Sequence, residues 1–219
     1  MRLTIYGRSV VTKALVLTLL IDIIAILVPV LILKLVLLAV SMLLFGFVIY
    51  FFRDPVRKLP EGIKNNEVIS PADGKVMMIE EIDEDKFLKS RAKMIGIFLS
   101  PLNVHVNRVP ASGKVELFEY VKGDYIVAFD HKSSERNERT IIGITTPEFR
   151  VLFKQIAGFV ARRIVCNLRT GNNVKRGEKF GMIKFGSRVD VILPVNSIVK
   201  VSVNQKVTGG ETIIAEVPA

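Results

Sequence analysis

From Ala14 to Phe52 the chain reads ALVLTLLIDIIAILVPVLILKLVLLAVSMLLFGFVIYFF, and only Asp22 and Lys34 in it carry charge. As one helix these 39 residues would run roughly 58 Å, about twice the hydrocarbon thickness of a bilayer. The stretch must fold back. Pro29 and Lys34 lie near its middle and mark the expected turn, which leaves spans of roughly 17 residues at about 12–28 and 35–52, near the minimum for crossing. Arg2, Arg8 and Lys13 precede the hairpin, and Arg53, Arg57 and Lys58 follow it. Two basic flanks around an even number of spans put both termini on the cytoplasmic side of the cell membrane. A cleaved signal peptide is the alternative, but no small-residue cleavage site follows the run and the second span would then have no purpose. Asp22 is costly at that depth and is expected to face the partner span or to snorkel.

Half of the 219 residues are hydrophobic and the mean hydropathy is +0.40, too apolar for a purely soluble domain and in keeping with this hairpin. The single cysteine, Cys166, excludes an internal disulfide and any multi-cysteine metal site. Two histidines, His105 and His131, make a histidine-rich metal site unexpected as well, so no metal is assigned. Residues 53–219 hold 27 Lys+Arg against 20 Asp+Glu, a net +7. Held at an anionic membrane face, that charge suits an acidic lipid headgroup, although a merely solvated basic surface would read the same way. No recognition-helix pattern or aromatic-interleaved basic run suggests nucleic acid.

Two internal echoes organise this second region. PADGKV at 71–76 returns as PASGKV at 110–115, 39 positions on, and VKRGE at 174–178 returns as VTGGE at 207–211, 33 positions on. Such Gly turns between alternating runs, MIGIFL, KVELFEYV and IVKVSV among them, point to β-hairpin repeats. The spacing resembles the barrel-sandwich folds of lipoyl and biotinyl carriers. The expected fold is therefore mostly β and pseudo-symmetric, with an N-terminal two-helix hairpin. The domains are residues 1–52, the anchor, and 53–219. The first echo differs at one place, where Asp73 in one copy is Ser112 in the other, and a turn accepts either.

One strand is oddly built. KFGSRVDVILP, 184–194, alternates as a buried strand should, yet Gly186 and Ser187 stand where β-branched residues would pack best.

Together with that segment, FFRDPVR, SPADGKV, IGIFLSPLNVHVNRVPASGKV, NER at 137–139 and QIAGFVARRIVC resemble the phosphatidylserine decarboxylase family, most closely its short form, which includes archaetidylserine decarboxylases. The resemblance spans residues 51–215. It implies a proenzyme that cuts itself between Gly186 and Ser187, leaving 1–186 and 187–219 as a heterodimer of its own fragments. In that scheme the Ser187 hydroxyl attacks the Gly186 carbonyl and turns the amide into an ester. Elimination then releases Gly186 as a carboxylate, and hydrolysis of the dehydroalanine leaves a pyruvoyl cofactor at position 187. The implied reaction is a Schiff base between that carbonyl and the amine of a serine phospholipid, loss of carbon dioxide, and reprotonation. The family more often shows Leu-Gly-Ser-Thr in its long form, where this chain has Phe-Gly-Ser-Arg.

The resemblance assigns Ser187, His105 and Asp73 to catalysis, with His105 as the proton donor. A half-buried strand histidine is the rival reading for His105, and a turn aspartate for Asp73. Where long-form members have a second histidine, three positions after the first, this chain has Arg108. Asp73 then stands as the partner in an Asp–His–Ser relay. Arg108 is a candidate to hold a substrate carboxylate or phosphate, or to make a structural salt bridge. Arg188, with Arg162, Arg163 and Lys184, is a second candidate for the phosphodiester, although basic strand residues also guard sheet edges. His131 falls in a polar segment read as a loop, and Cys166 is read as a packing residue.

Two other functions compete. A membrane-anchored, non-catalytic barrel-sandwich binding module would need no break at Gly186–Ser187. A pyruvoyl enzyme of a soluble amino acid would leave the membrane hairpin idle. Ester and ether lipid tails are indistinguishable in the sequence, since tail contacts are nonspecific apolar surface. A homodimer of the cleaved unit is the default assembly.

Overall fold

The computed structural model describes residues 2–123, 137–158, 164–184 and 187–218. The chain divides into two compact units, Met1–Pro55 and Val56–Ala219.

In the first unit a short 3₁₀ turn, Ile5–Gly7, leads into helix α1, Arg8–Leu27, which is followed by α2, Leu31–Phe51. Ile5–Leu27 and Leu31–Phe51, 23 and 21 residues, are long and apolar enough to cross a membrane. The turn is tighter than expected from the sequence and involves Pro29 alone. Val28, before the proline, is extended at φ −71° and ψ 124°, as the ring of a following proline demands, whereas Lys34 already donates its N–H to Val30 inside α2. Asp22 faces the second helix, where the Ser41 hydroxyl donates to its Oδ1 at 2.5 Å. Thr4 N–H to Phe52 O, 3.0 Å, and Asp54 N–H to Arg2 O, 2.8 Å, close the open end of the hairpin.

Among the described residues the second unit has fourteen strands: β1 Glu67–Ile69, β2 Gly74–Glu84, β3 Ser90–Leu99, β4 Val106–Arg108, β5 Gly113–Val121, β6 Arg139–Thr145, β7 Arg150–Ala157, β8 Ile164–Cys166, β9 Asn173–Val174, β10 Lys179–Ile183, β11 Ser187–Pro194, β12 Ile198–Val199, β13 Lys206–Val207 and β14 Ile213–Glu216. The largest sheet has eight strands in the order β13-β2-β3-β11-β7-β6-β5-β9 and curls into a half-barrel. Two smaller sheets run β1-β14-β12 and β4-β10-β8.

These orders form a palindrome. A pseudo-twofold axis between β11 and β7 exchanges β2 with β5, β3 with β6, β13 with β9, and one small sheet with the other. Backbone bonds repeat under the offsets of 39 and 33 already visible in the sequence. Arg108 N–H donates to Pro71 O at 2.8 Å, and Ile69 N–H to Pro110 O at 3.1 Å. Gly177 donates to Val109 O and Gly210 to Ser70 O, each at 2.9 Å. Even the bulges correspond, between Val76 and Met78 in β2 and between Val115 and Leu117 in β5. Glycine opens both strands because a Cβ on Gly74 or Gly113 would lie 2.3 Å from the carbonyl oxygen of Phe98 or Thr145.

Repeat B, β4–β10, is continuous in the chain. Repeat A is made of β1–β3 and β11–β14, so repeat B is inserted into it between Leu99 and Ser187. The main core lies on one face of the sheet, with Val76, Ile95, Ile97, Phe153, Val191 and Leu193 all buried. A second cluster, with Met78, Met94, Leu152 and Ile192, covers the other face.

Candidate active site

Ser187 opens β11, pairing with Leu99 on β3 and with Ala157 on β7. Both neighbours are buried and belong, with Ala72, Ile183 and Val189, to a compact apolar cluster. Ser187 itself is fully buried, and its Oγ has no hydrogen-bond partner among the described residues. A hydroxyl in that state costs roughly 1–3 kcal/mol and calls for a chemical reason. Gly186, whose carbonyl the hydroxyl would attack, lies outside the described residues, as do His131, Arg162 and Arg163.

Strand pleating separates Ser187 from its sequence neighbour. Successive side chains in a strand point to opposite faces, so Arg188 is on the reverse side of the sheet, where Asp190 takes its Nε at 2.5 Å and its Nη2 at 2.9 Å. Both residues are buried. Closeness in sequence to the cleavage motif therefore does not place Arg188 on the Ser187 face; its side chain forms an ion pair with Asp190 on the far face.

His105 precedes β4 and is fully buried. Its Nδ1 lies 2.9 Å from the Asn103 carbonyl, an acceptor only. In the neutral ring this assigns the proton to Nδ1 and leaves Nε2 as the basic nitrogen. Asn103 is fixed in turn, since its side-chain oxygen accepts from both the N–H and the hydroxyl of Ser100, at 2.9 and 2.8 Å. The Nδ1 position that a carboxylate fills in an Asp–His–Ser relay is thus filled by a backbone carbonyl.

A buried polar chain ties β4 to the Ser187 face. Thr140 donates to Gln155 Oε1 at 2.9 Å, and Gln155 Nε2 donates to Asn107 Oδ1 at 2.8 Å. Gln155 pairs with Val189 across β7–β11 and so shares the face of Ser187. Asn107, two residues beyond His105 and also fully buried, is anchored there. The NER segment acts from another side: Asn137 Nδ2 donates to the carbonyl of Ala157 at 2.6 Å, directly across from Ser187. All three lie in motifs that carry the family resemblance, Asn107 in IGIFLSPLNVHVNRVPASGKV, Gln155 at the head of QIAGFVARRIVC and Asn137 in NER, but none was singled out there as a site residue.

Asp73 follows Ala72, which packs in the Ser187 cluster. Its Oδ1 accepts from Gly209 N–H at 2.8 Å, and its Oδ2 from Arg57 Nη2 at 2.7 Å. Arg57, read from the sequence only as part of the basic flank and the FFRDPVR motif, also reaches Glu211 at 3.2 Å. Arg108 is 8% exposed and donates from Nη1 to the Gly177 carbonyl at 3.0 Å. The half-buried Cys166 packs against the main core, and burial pushes its thiol up to about 11, which leaves it without nucleophilic character at neutral pH.

The fold and this buried hydroxyl define a class: β proteins with a serine at the head of a central strand. Within it, the family model for phosphatidylserine decarboxylase matches residues 44–215. The chain is 45% identical over 213 residues to a phosphatidylserine decarboxylase proenzyme of Prosthecochloris aestuarii, covering 97% of this chain and 96% of that protein. It is likewise 45% identical over 213 residues to the protein of that name from Chlorobium luteolum, covering 97% of this chain and 99% of the other. A third, from Salinibacter ruber, is 48% identical over 174 residues, covering 79% of this chain and 77% of its own length. The chain belongs to the phosphatidylserine decarboxylase family.

Proposed function

We propose that this protein is a proenzyme that cuts itself between Gly186 and Ser187 and then decarboxylates a serine glycerophospholipid to the ethanolamine lipid, using a pyruvoyl group derived from Ser187. The observation that carries the reading is the Ser187 hydroxyl, buried without a hydrogen-bond partner among the described residues, immediately after a glycine in a chain of this family. Such a hydroxyl has given up solvation without compensation and is available to attack the preceding carbonyl. Apolar Leu99 and Ala157 on either side also suit a small, uncharged keto group at the same position. Bound there, the group would supply an electron sink for the electrons released when carbon dioxide departs.

The residues of this chain then divide the work. His105 takes the Ser187 proton during processing and returns a proton to the substrate carbon, with Nε2 as the exchanging atom. Its Nδ1 stays bound to Asn103 throughout, which keeps the ring in one tautomer. Asp73, clamped by Arg57 and Gly209, positions the Ser70–Asp73 turn against the Ser187 cluster. Arg108 contributes a cation for the substrate, whereas Arg188 is assigned to its pair with Asp190. No residue is assigned to a metal.

After the cut, residues 187–219 would remain bound. β11 is hydrogen-bonded on both sides, and β12, β13 and β14 pair with one another or with strands of the larger fragment. Val189, Val191, Ile192 and Leu193 are fully buried, each worth about 1.5–3 kcal/mol. The apolar hairpin would anchor the unit in the cell membrane with the β domain on the cytoplasmic side, where the phospholipid substrate lies. In its pseudo-symmetry the β domain is likened to the barrel-sandwich carriers, and the cleaved heterodimer would itself pair as a homodimer.

Intact-mass measurement of the purified protein is the test. The expected result is a fragment of residues 187–219 with a blocked keto N-terminus, together with release of carbon dioxide from phosphatidylserine. A folded wild-type chain that stays uncut and lacks carbonyl reactivity would overturn the reading in favour of a binding module.

A further inference from the structure

Asn107 on β4 is fully buried, and only half of its amide is engaged. Its Oδ1 accepts from Gln155 Nε2 at 2.8 Å, whereas its Nδ2 is enclosed without a hydrogen-bond partner among the described residues. The surroundings fix which end of each amide points where. Gln155 Nε2 lies 3.5 Å from the carbonyl oxygen of Val165, and since two oxygens would repel there, the nitrogen of Gln155 belongs on that side. Its oxygen then takes the Thr140 hydroxyl at 2.9 Å, and Asn107 must meet the nitrogen with Oδ1. The spare N–H of Asn107 follows from this chain of partners.

The junction is also built into the backbone. Gly181 pairs with Asn107 across β4–β10, and a Cβ at Gly181 would stand 2.1 Å from Val165 O and 3.1 Å from Gln155 Nε2. Any other residue would close the space in which the two amides meet. A buried donor so placed calls for an acceptor that the protein itself does not supply.

Gln155 stands opposite Val189, on the face of Ser187 and two residues farther along the strand, and its bond holds Asn107 over this part of the sheet. Same-face side chains two residues apart are about 7 Å apart. A serine headgroup whose amine lies against position 187 carries a carboxylate oxygen roughly 2.8 Å from that amine by ordinary bond lengths, and a hydrogen bond adds about 2.9 Å. With the contact at position 187 included, these lengths match the spacing. The phosphate oxygens of the headgroup are farther from the amine by two bonds, so the carboxylate is the acceptor within reach.

We propose that Asn107 sets substrate specificity, its Nδ2 donating to the serine carboxylate of the lipid, an assignment that rests on the decarboxylase reading above. Ser187 is equally buried in the intact chain, so the opening that admits a substrate to position 187 also uncovers the neighbouring amide. A neutral donor suits this task better than a cation. A guanidinium would stabilise the carboxylate most in the ground state, where its charge is whole, and that stabilisation is lost as carbon dioxide departs. An amide orients the carboxylate with less of that penalty. It also favours the serine lipid over the ethanolamine product, which has no carboxylate to offer.

The experiment uses the full-length purified protein, Asn107→Leu, which keeps the volume and removes the donor, and Asn107→Ala as a second variant, each checked for its mass pattern and melting temperature. Two amine-free short-chain lipids serve as probes: phosphatidylethanol, and the same lipid with a carboxylate on its terminal carbon. Without an amine neither is turned over, so calorimetry reports binding alone. The wild type should prefer the carboxylate lipid, and the variants should lose about 10–100-fold of that preference, the worth of a hydrogen bond to a charged group, with affinity for phosphatidylethanol unchanged. In the same variants kcat/KM for short-chain phosphatidylserine should fall by a similar factor. No carboxylate preference in the wild type, or an unchanged preference in the variants, would overturn the proposal. Equal weakening of both lipids would overturn it as well, reducing Asn107 to a packing residue, and so would a folded variant that stays uncut, which would place the amide in processing. If the wild type released no carbon dioxide, the decarboxylase reading would fail, and the two probe lipids would still decide whether Asn107 recognises a carboxylate.

Discussion

Among the described residues, repeats A and B share strand order, bulges and turn bonds, and two of the differences between them lie at the candidate active site. The first is the turn that opens each repeat. Ser112 Oγ accepts one bond, from Arg176 N–H at 3.0 Å, and Asp73 Oδ1 accepts the equivalent bond from Gly209 N–H at 2.8 Å. A hydroxyl is enough to close the turn. The second oxygen of Asp73 is surplus to folding and goes to Arg57. The second difference is the link into each repeat's inner strand. In repeat B, β6 reaches β7 through a tight turn in which Thr146 Oγ1 accepts from Glu148 and Phe149 N–H, at 3.1 and 2.8 Å. In repeat A the same link is interrupted by all of repeat B, and the chain re-enters at Ser187. Residues that symmetry leaves without a structural duty are the ones open to chemistry.

The strongest attack on this comparison is Ser187→Ala. It is expected to leave a folded single chain with no fragment beginning at 187 and no decarboxylation, read by intact mass and carbon dioxide release; a cut chain would show that the broken link is not the reactive one. His105→Gln comes next, with decarboxylation in whatever fraction matures falling about 10²–10⁴-fold, the usual worth of a general acid or base, and with slower self-cleavage. Normal maturation and normal turnover would reduce His105 to a core residue. Asp73→Asn keeps an acceptor for Gly209 N–H but removes the charge that holds Arg57, so processing should slow, on the order of tenfold or more, while the melting temperature moves little. Glu84 tests repeat A's β2–β3 turn alone. Burial opposes its ionisation, but backbone N–H groups of Phe87, Leu88, Lys86 and Lys89 outweigh that and hold its carboxyl below the usual glutamate range. The stability this gives is present above the unfolded carboxylate pKa and is lost as pH falls through the lower folded value. Glu84→Gln should therefore cost about 1–3 kcal/mol at neutral pH and flatten the acid limb of the stability curve. Ser112→Ala, the mirror of Asp73→Asn, should cost only about 0.5–1.5 kcal/mol and leave processing untouched; a processing defect there would erase the distinction between the repeats.

The repeats were legible in the sequence because a tight turn constrains particular positions: Gly74 and Gly113 tolerate no Cβ, and their neighbours echo at a fixed offset. Alternation likewise revealed β3, β5 and β11. The hairpin turn was placed too broadly, since Lys34 looks like a loop residue, although only Pro29 changes what the backbone can do. Around the site, local motifs located Ser187, His105 and Asp73, but their supports are distant in the chain. Arg57 and Asp73 are close enough in sequence to suspect, whereas Gln155 and Asn107 meet only because β7 and β4 are packed together. Arg188 shows the converse, for adjacency in sequence to Ser187 means the opposite face in a strand.

The placement of β11 between β3 and β7 has a further consequence for the proposed cut. A chain end ordinarily frays, because half its neighbours are solvent. An end created at Ser187 would be flanked by a strand on either side and could wander no more than a residue in mid-sheet. It would also fix an order of events: the chain must fold while intact, since a separately made 187–219 peptide would have to pry apart two strands that, without it, have every reason to close on each other.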